Sequence, residues 1–284
     1  MPLLWIFQMQ LKEVMQNIED IFRAIDVSAV GVCGFEDMSP LIPCRAAQRL
    51  PNSAKSVLVC AFPYYVGEYE GCNLARYAIV DDYHKVIIPM LNAAVEKLKL
   101  AYPQEEFAVF ADNSPLREVN AAYKAGLGFV GKNGQLITKN YGSYCFIGEI
   151  VTTMELPAAQ PIKQGCGTCS LCVSACPNAA IGEGGSIDKA HCRSYITQKK
   201  GELTAFEVKN IAEGGLAWGC DICTDICPYN KDPRLSNIDV FYNNIVHTLT
   251  KENCAELCNT RAFGWRGAGV VQRNLDICKE HTAE

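Results

Sequence analysis

Basic charge is in short supply in this chain. Against 31 aspartates and glutamates stand 26 lysines and arginines, for a net charge of −5 and a pI near 5.5. A protein that grips nucleic acid mainly through phosphates normally carries a basic excess, so the balance argues against broad nucleic-acid affinity and leaves room for a local patch. No run approaches the ~18 consecutive apolar residues that a membrane helix needs. The start lacks the basic, then apolar, then small order of an export signal, and no twin arginine lies near it. Low-complexity tracts are absent too, and the one internal repetition is a pair of related cysteine half-motifs. These absences predict a cytoplasmic protein with no membrane segment. With 284 residues, 49% hydrophobic and 20% charged, the composition is that of a globular chain of one large or two ordinary domains.

Cysteine is the residue in excess, at 16. Such a count in a small secreted chain indicates disulfides, but this chain is too long for that class. Eight of the cysteines form an array. It opens as Cys166-x-x-Cys169-x-x-Cys172-x-x-x-Cys176-Pro177, passes a lone Cys192, and closes as Cys220-x-x-Cys223-x-x-x-Cys227-Pro228. Iron–sulfur clusters take four thiolates each, and in the C-x2-C-x2-C-x3-C-P run the fourth cysteine serves the neighbouring cluster. The spacing therefore predicts two 4Fe–4S clusters, one on Cys166, Cys169, Cys172 and the distant Cys227, the other on Cys176, Cys192, Cys220 and Cys223. Zinc also uses C-x2-C pairs, but the third closely spaced cysteine and the prolines fit zinc poorly. Of the others, Cys33, Cys60 and Cys145 lie in apolar runs and read as small core residues. Cys254, Cys258 and Cys278 lack cluster spacing and read as structural.

Upstream of the array, apolar residues recur at helical spacing over residues 11–25 and 83–100, the latter with Pro89 inside. Residues 29–33, 56–62, 107–111 and 144–153 read as strands, and the continuous run SVLVCAF suggests a strand covered on both faces. Ser114-Pro115 reads as a helix N-cap followed by proline at the first helical position, with the helix ending by Gly126. Alternating strands and helices predict an α/β domain over residues 1–157. The cysteine domain then covers 158–232, and 233–284 forms a short helical tail.

Two nucleotide motifs are satisfied by letters alone within AGLGFVGKNG: G-x-G-x-x-G and G-x-x-x-x-G-K. Both need a strand before the glycines and a helix after. Here a helix comes first, and Asn133 stands where a Walker loop has its hydroxyl. Helix termination with close backbone packing is the better reading. Asp112 ends the strand FAVFA, at the edge where open α/β sheets bind ligands. With Ser114 read as the cap, Asp112 is free for another role, against the alternative of a turn aspartate. His84 reads as a helix-start residue.

The motifs ARYAIVDDYHKV (75–86), FADNSPLREVNAAYKAGLGFVGKNG (110–134), GSYCFIGEIVTT (142–153), the cysteine array and CRSYITQKKGEL (192–203) together resemble the epoxyqueuosine reductase family over about residues 10–275. That resemblance implies a nitroreductase-like cobalamin-binding domain joined to a ferredoxin-like domain with two 4Fe–4S clusters. It also implies reduction of epoxyqueuosine to queuosine in tRNA, with electrons from a low-potential donor of ferredoxin or flavodoxin type. The family's proton-donating aspartate falls on Asp112. Its corrin surroundings fall on Leu136, Ile147, Ile150, Ser194, Tyr195 and Lys200, and its cluster ligands agree with the spacing. Two stretches depart from the family's pattern. Residues 35–51 are compressed, and the chain stops after WRGAGVVQRNLDI, where other members continue into a helical-repeat region that helps hold tRNA. The rival readings are another corrinoid-dependent reduction of a small molecule, and a non-catalytic electron-transfer protein.

Overall fold

Strand β2 (Ser56–Pro63) is buried at every position, because after Ser56 its side chains are all apolar and it has no polar face to offer water. The computed structural model describes residues 2–27 and 29–282 and places this strand inside a four-stranded sheet. Its partners are β1 (Ala29–Gly34), β3 (Phe107–Phe110) and β6 (Cys145–Thr152), in the order β1-β2-β6-β3. Two further strands, β4 (Phe129–Val130) and β5 (Leu136–Ile137), are only two residues long. Every ladder in the four-stranded sheet is antiparallel. The expected mixture of helix and sheet is present, and its sheet is antiparallel. Between β1 and β2 the chain makes only short 3-10 turns, Glu36–Met38 and Arg45–Arg49.

Register then decides what faces what. Gly31, Val59, Glu149 and Phe110 lie opposite one another across the strands, and directly paired residues share a face. A Cβ on Gly31 would sit 2.0 Å from the carbonyl oxygen of Ala125. Ala125 is the C-cap of α3 (Glu118–Lys124), so α3 rests its end on this face. The next row, Val30–Cys60–Gly148, points the other way. There a Cβ on Gly148 would meet Leu91 Cδ1 at 2.8 Å and Ile87 Cγ2 at 3.1 Å, which seats α2 (Tyr83–Ala101) on the opposite face. Helix α2 accommodates Pro89 without ending. Helix α1 (Pro2–Arg23) buries Ile18 and Phe22 and stops two residues short of the expected Ile25.

The helix expected at Ser114-Pro115 starts later. Its first residue is Glu118, its N-cap is Arg117, and no side chain caps it. Ser114 is engaged elsewhere, as described below.

Two compact units interleave along the chain, in place of the linear division at 157/158 and 232/233. The first comprises Met1–Pro63, His84–Val130 and Cys145–Gln164; the second comprises Tyr64–Tyr83, Gly131–Tyr144 and Gly165–Glu284. Hydrogen bonds explain why the early segments join the second unit. Ala75 N–H donates to Trp218 O (2.9 Å), Ala217 N–H to Asn73 O (2.8 Å) and Ser143 N–H to Asn230 Oδ1 (2.8 Å). Trp218, 1% exposed, donates from Nε1 to Tyr77 Oη (2.6 Å).

The second unit's helices are α4 (Leu171–Ala175), α5 (Arg193–Thr197), α6 (Ala205–Gly214), α7 (Ile222–Asp225), α8 (Val240–Asn243), α9 (Lys251–Leu257) and α10 (Ala268–Thr282). Thr204–Glu207 and Thr250–Asn253 start α6 and α9 as reciprocal capping pairs. Asn274 on α10 is fully buried and donates to Thr197 O (2.7 Å) and Ala217 O (2.9 Å), which ties the C-terminal helices into this unit. Among the described residues, no helix is long and apolar enough to cross a membrane.

A Gly31→Ala chain should unfold at a lower temperature than wild type, by an overpacking cost of about 1–3 kcal/mol. An unchanged midpoint in scanning calorimetry would mean that α3 can lift away from the sheet without penalty.

Candidate functional site

The array's cysteines sit on short loops and helix ends of the second unit. Cys166 and Cys169 precede α4, Cys172 lies in it and Cys176 is its C-cap. Cys192 is the N-cap of α5, while Cys220 and Cys223 lie at and in α7. Cys227 follows that helix, before a turn opened by Pro228. All eight are partly exposed. Cys166, Cys169, Cys172 and Cys227 line one cavity of about 210 Å³, so the crossed set predicted from spacing converges on a single space. Burial pushes the Cys172 thiol up, with further upward pressure from Cys166 and Cys227. Cys223 is pushed up to about 12 by burial, then by Cys220 and Cys192, with Cys172 contributing after them. Cys176 accepts the Ala180 N–H (3.3 Å). Four thiols lining one cavity are the donor chemistry that an iron–sulfur cubane takes, although among the described residues no group of three His, Cys, Asp or Glu side chains is placed to hold a single metal ion.

Arg76 fixes the loop that carries Cys220 and Cys223. Its N–H donates to Asp221 Oδ2 (2.7 Å), and its guanidinium pairs with Glu68 (2.7 Å) and Asp225 (2.9 Å). Burial pushes Asp221 up to about 6, opposed by that backbone N–H. A second cavity of about 230 Å³ is lined by Arg76, Arg193, Cys220 and Asp221 among others.

In the first unit, Asp112 follows β3 at φ +60°, a left-handed backbone that aspartate tolerates better than most residues. Its side chain is 65% exposed, and Oδ2 lies 3.4 Å from Nε2 of His84 in the first turn of α2. The sheet-edge rule for parallel sheets does not carry this placement, since the strands are antiparallel. The turn itself does.

Sequence reasoning missed two carboxyls behind Asp112. Glu149 is fully buried in β6, the one charge in the strand CFIGEIVT, and Ser114 Oγ donates to its Oε2 (2.5 Å). Burial pushes Glu149 up to about 7 against that hydrogen bond. Glu118, at the start of α3, accepts the backbone N–H of Asp112. Burial pushes it up to about 8, with the charges of Glu149 and Asp112 adding to the rise. Oε1 of each glutamate is buried without a hydrogen-bond partner among the described residues. A lone acid inside an apolar strand was the available signal for Glu149; Glu118 had none.

The six residues assigned to the corrin are not alike. Ile147 and Ile150 are three apart on β6, so they face opposite sides of the sheet. Ile150 is 0% exposed and Leu136 4%, both inside cores, while Tyr195 is 45% exposed. Ser194 and Tyr195 share α5, Lys200 follows it in the open, and Lys189 Nζ stands 5.1 Å over the Tyr195 ring. Cys33 and Cys60 are core residues, as expected, whereas Cys145 is only partly buried.

Residues 165–230 match a family described as "4Fe-4S double cluster binding domain", and residues 45–113 match "Epoxyqueuosine reductase QueG, DUF1730". The epoxyqueuosine reductase of Cyclobacterium marinum is 37% identical over 251 residues, covering 83% of this chain and 80% of that protein. The chain belongs to the epoxyqueuosine reductase family. It spans 61% and 65% of the length of the curated epoxyqueuosine reductases from Lactococcus garvieae and Synechocystis. The solved epoxyqueuosine reductase of Streptococcus thermophilus matches with a TM-score of 0.79 at 25% identity, over 95% of this chain and 82% of that one. An epoxyqueuosine reductase crystallised with an epoxyqueuosine-modified tRNA-Tyr stem loop shares the fold at TM-score 0.82 and 22% identity, with the same coverage. So does a reductive dehalogenase described as suggesting a mechanism for B12-dependent dehalogenation, at TM-score 0.52 and 18% identity, over 94% of this chain and 36% of that one.

The buried acids of this epoxyqueuosine reductase relative make its stability depend on pH. Both pKa values are raised above the ordinary 4.5, so stability present below that value is lost as pH climbs through about 7 and about 8. Glu118→Gln keeps an acceptor for the Asp112 N–H and removes the ionisation. It should match wild type near pH 5 and exceed it by about 1–3 kcal/mol near pH 9, read from thermal midpoints. Parallel pH curves for the two chains would show that Glu118 titrates normally.

Proposed function

We propose that this chain is a cytoplasmic cobalamin- and iron–sulfur-dependent oxidoreductase that reduces epoxyqueuosine to queuosine in tRNA. The observation that carries the reading is Asp112. Its carboxyl stands on a left-handed turn beside His84 with a buried acid behind it, in a chain that also bears the eight-cysteine array. Support comes from relatives: one epoxyqueuosine reductase was solved with a modified tRNA stem loop, and a B12-dependent dehalogenase shares the fold. On this reading the sheet-bearing residues form a nitroreductase-like cobalamin-binding domain, and the cysteine region a ferredoxin-like one.

Cys166, Cys169, Cys172 and Cys227 would hold one cluster, and Cys176, Cys192, Cys220 and Cys223 the other. Of the six positions given for cobalamin, Leu136 and Ile150 are buried, while Ile147 in the first unit and Ser194, Tyr195 and Lys200 in the second keep accessible surface. When bound, these groups supply low-potential electrons and a reactive cobalt centre. The protein's own part is proton delivery and placement. Removing the epoxide oxygen as water consumes two electrons and two protons, and the first proton comes from the Asp112 carboxyl to the leaving oxygen. His84, 3.4 Å away, is placed to return a proton to Oδ2. Glu118 accepts the Asp112 N–H and holds the turn that aims the carboxyl. Electrons arrive from a low-potential donor of ferredoxin or flavodoxin type. With a net charge of −5, contact with tRNA falls to a local patch.

Anaerobic reconstitution should load about eight iron and eight sulfide per chain, two cubanes' worth. Zinc taken up in their place would sink the cluster reading. Cys227→Ala should cost the cluster on Cys166, Cys169 and Cys172, and spare the one that includes Cys220 and Cys223.

Asp112→Asn should lower turnover of epoxyqueuosine-containing tRNA by about 10²–10⁴, the usual worth of a general acid, with clusters and cobalamin retained. Turnover within about threefold of wild type would falsify the role of Asp112. An electron carrier without this chemistry would still pass electrons to a protein acceptor after the substitution.

A further inference from the structure

The last residues of AGLGFVGKNG, 131–134, belong to neither the carboxyl cluster nor the cysteine array. They form a tight turn in the second unit. Gly134 N–H donates to Gly131 O (2.9 Å), and Gly131 N–H donates to Gln135 O (2.9 Å). Gly134 takes φ +75°, which glycine adopts without strain. Asn133 Oδ1 accepts the Gln135 N–H (3.3 Å) and closes the turn.

This turn touches both cysteine sets, and touches them differently. Lys132 N–H donates to Cys166 Sγ (3.4 Å). The Lys132 ammonium donates to Gly167 O (3.1 Å) and Cys169 O (2.7 Å), within the Cys166-x-x-Cys169 loop. Lys132 also lines the cavity shared by Cys166, Cys169, Cys172 and Cys227. Asn133, 3% exposed and uncharged, donates from Nδ2 to Cys223 O (3.3 Å) in the other set. From this turn the first set gains a full positive charge and an N–H···S bond, and the second a neutral amide on its backbone; elsewhere the second set has the Ala180 N–H on Cys176 and Arg193 near Cys220.

Reducing a cluster by one electron makes it more negative. A fixed cation and N–H donors at the thiolates stabilise the reduced form, so they raise its potential. We propose that Lys132 raises the reduction potential of the cluster on Cys166, Cys169, Cys172 and Cys227, and so sets where an electron rests between the two clusters. Each transfer moves one electron, supplied by a low-potential donor or by dithionite, and no bond to the protein is made or broken. The inference rests on the two-cluster reading and is independent of the substrate.

The test is a potentiometric titration, followed by electron paramagnetic resonance, of the full chain after anaerobic reconstitution. Wild type is compared with Lys132→Met, which removes the charge but keeps the backbone N–H, and with Lys132→Arg, which restores a charge. Cys176→Ser identifies the signal of the second cluster by weakening it. In Lys132→Met the first cluster should titrate at lower potential, with electron occupancy between the clusters changed about tenfold, or ~59 mV for one electron. The second should stay in place, and Lys132→Arg should recover most of the shift. Unmoved potentials, equal movement of both clusters, or failure of Lys132→Met to hold the first cluster at all would each overturn the proposal, the last by making Lys132 a brace for the loop. Wild type that holds fewer than two clusters would overturn the cluster reading itself.

Discussion

One hydrogen bond organises the first unit: the one that Ser114 donates to the buried carboxyl of Glu149. Register places Glu149 on the α3 side of the sheet, opposite Val59, where no water reaches it. An acid there needs a donor or a proton. Ser114 provides the donor, and accepts the Leu116 N–H (3.1 Å) at the same time. Although Ser114 accepts that N–H two residues on, no helix follows directly, and α3 begins at Glu118. The residues before it cross the end of the sheet as an irregular turn, with Asp112 left-handed at its start.

Within the second unit, polar anchoring is denser than in the sheet. Asn230 donates to Ser143 Oγ (2.8 Å) and Thr224 O (2.7 Å), and Arg261 pairs with Asp81 (2.5 Å) while itself 2% exposed. Short helices with little apolar surface cannot hold cysteine loops by packing alone. Side-chain bonds to backbone take over that task, and Arg76 and Lys132 apply it directly beside cysteines.

Much of this was legible in the sequence, for physical reasons that differ by element. The buried run of β2, the helix over 83–100 and the cysteine grouping are local patterns, and local patterns survive folding. The antiparallel ladders, by contrast, are set by which distant segments meet. The expected cap at Ser114 is a related case: SP followed by an amphipathic stretch is a sound local signal, but it does not show the bond from Ser114 to an acid 35 positions downstream. Glu118 gave no sign of itself, since an exposed first-turn glutamate and a buried one look alike on paper. Among the corrin positions, strand alternation alone separates Ile147 from Ile150, but only once β6 is known to be a strand.

The interleaving of the two units bears on how the chain comes off the ribosome. Residues 64–83 and 131–144 emerge early, yet Trp218 and Asn230, to which they bond, come much later. The sheet can close once β6 has been made, with two loops left waiting. Each loop is then a half-built receptor, and the cysteine segment, made after the sheet, finds its turns and anchors already held at both ends of each loop by the chain.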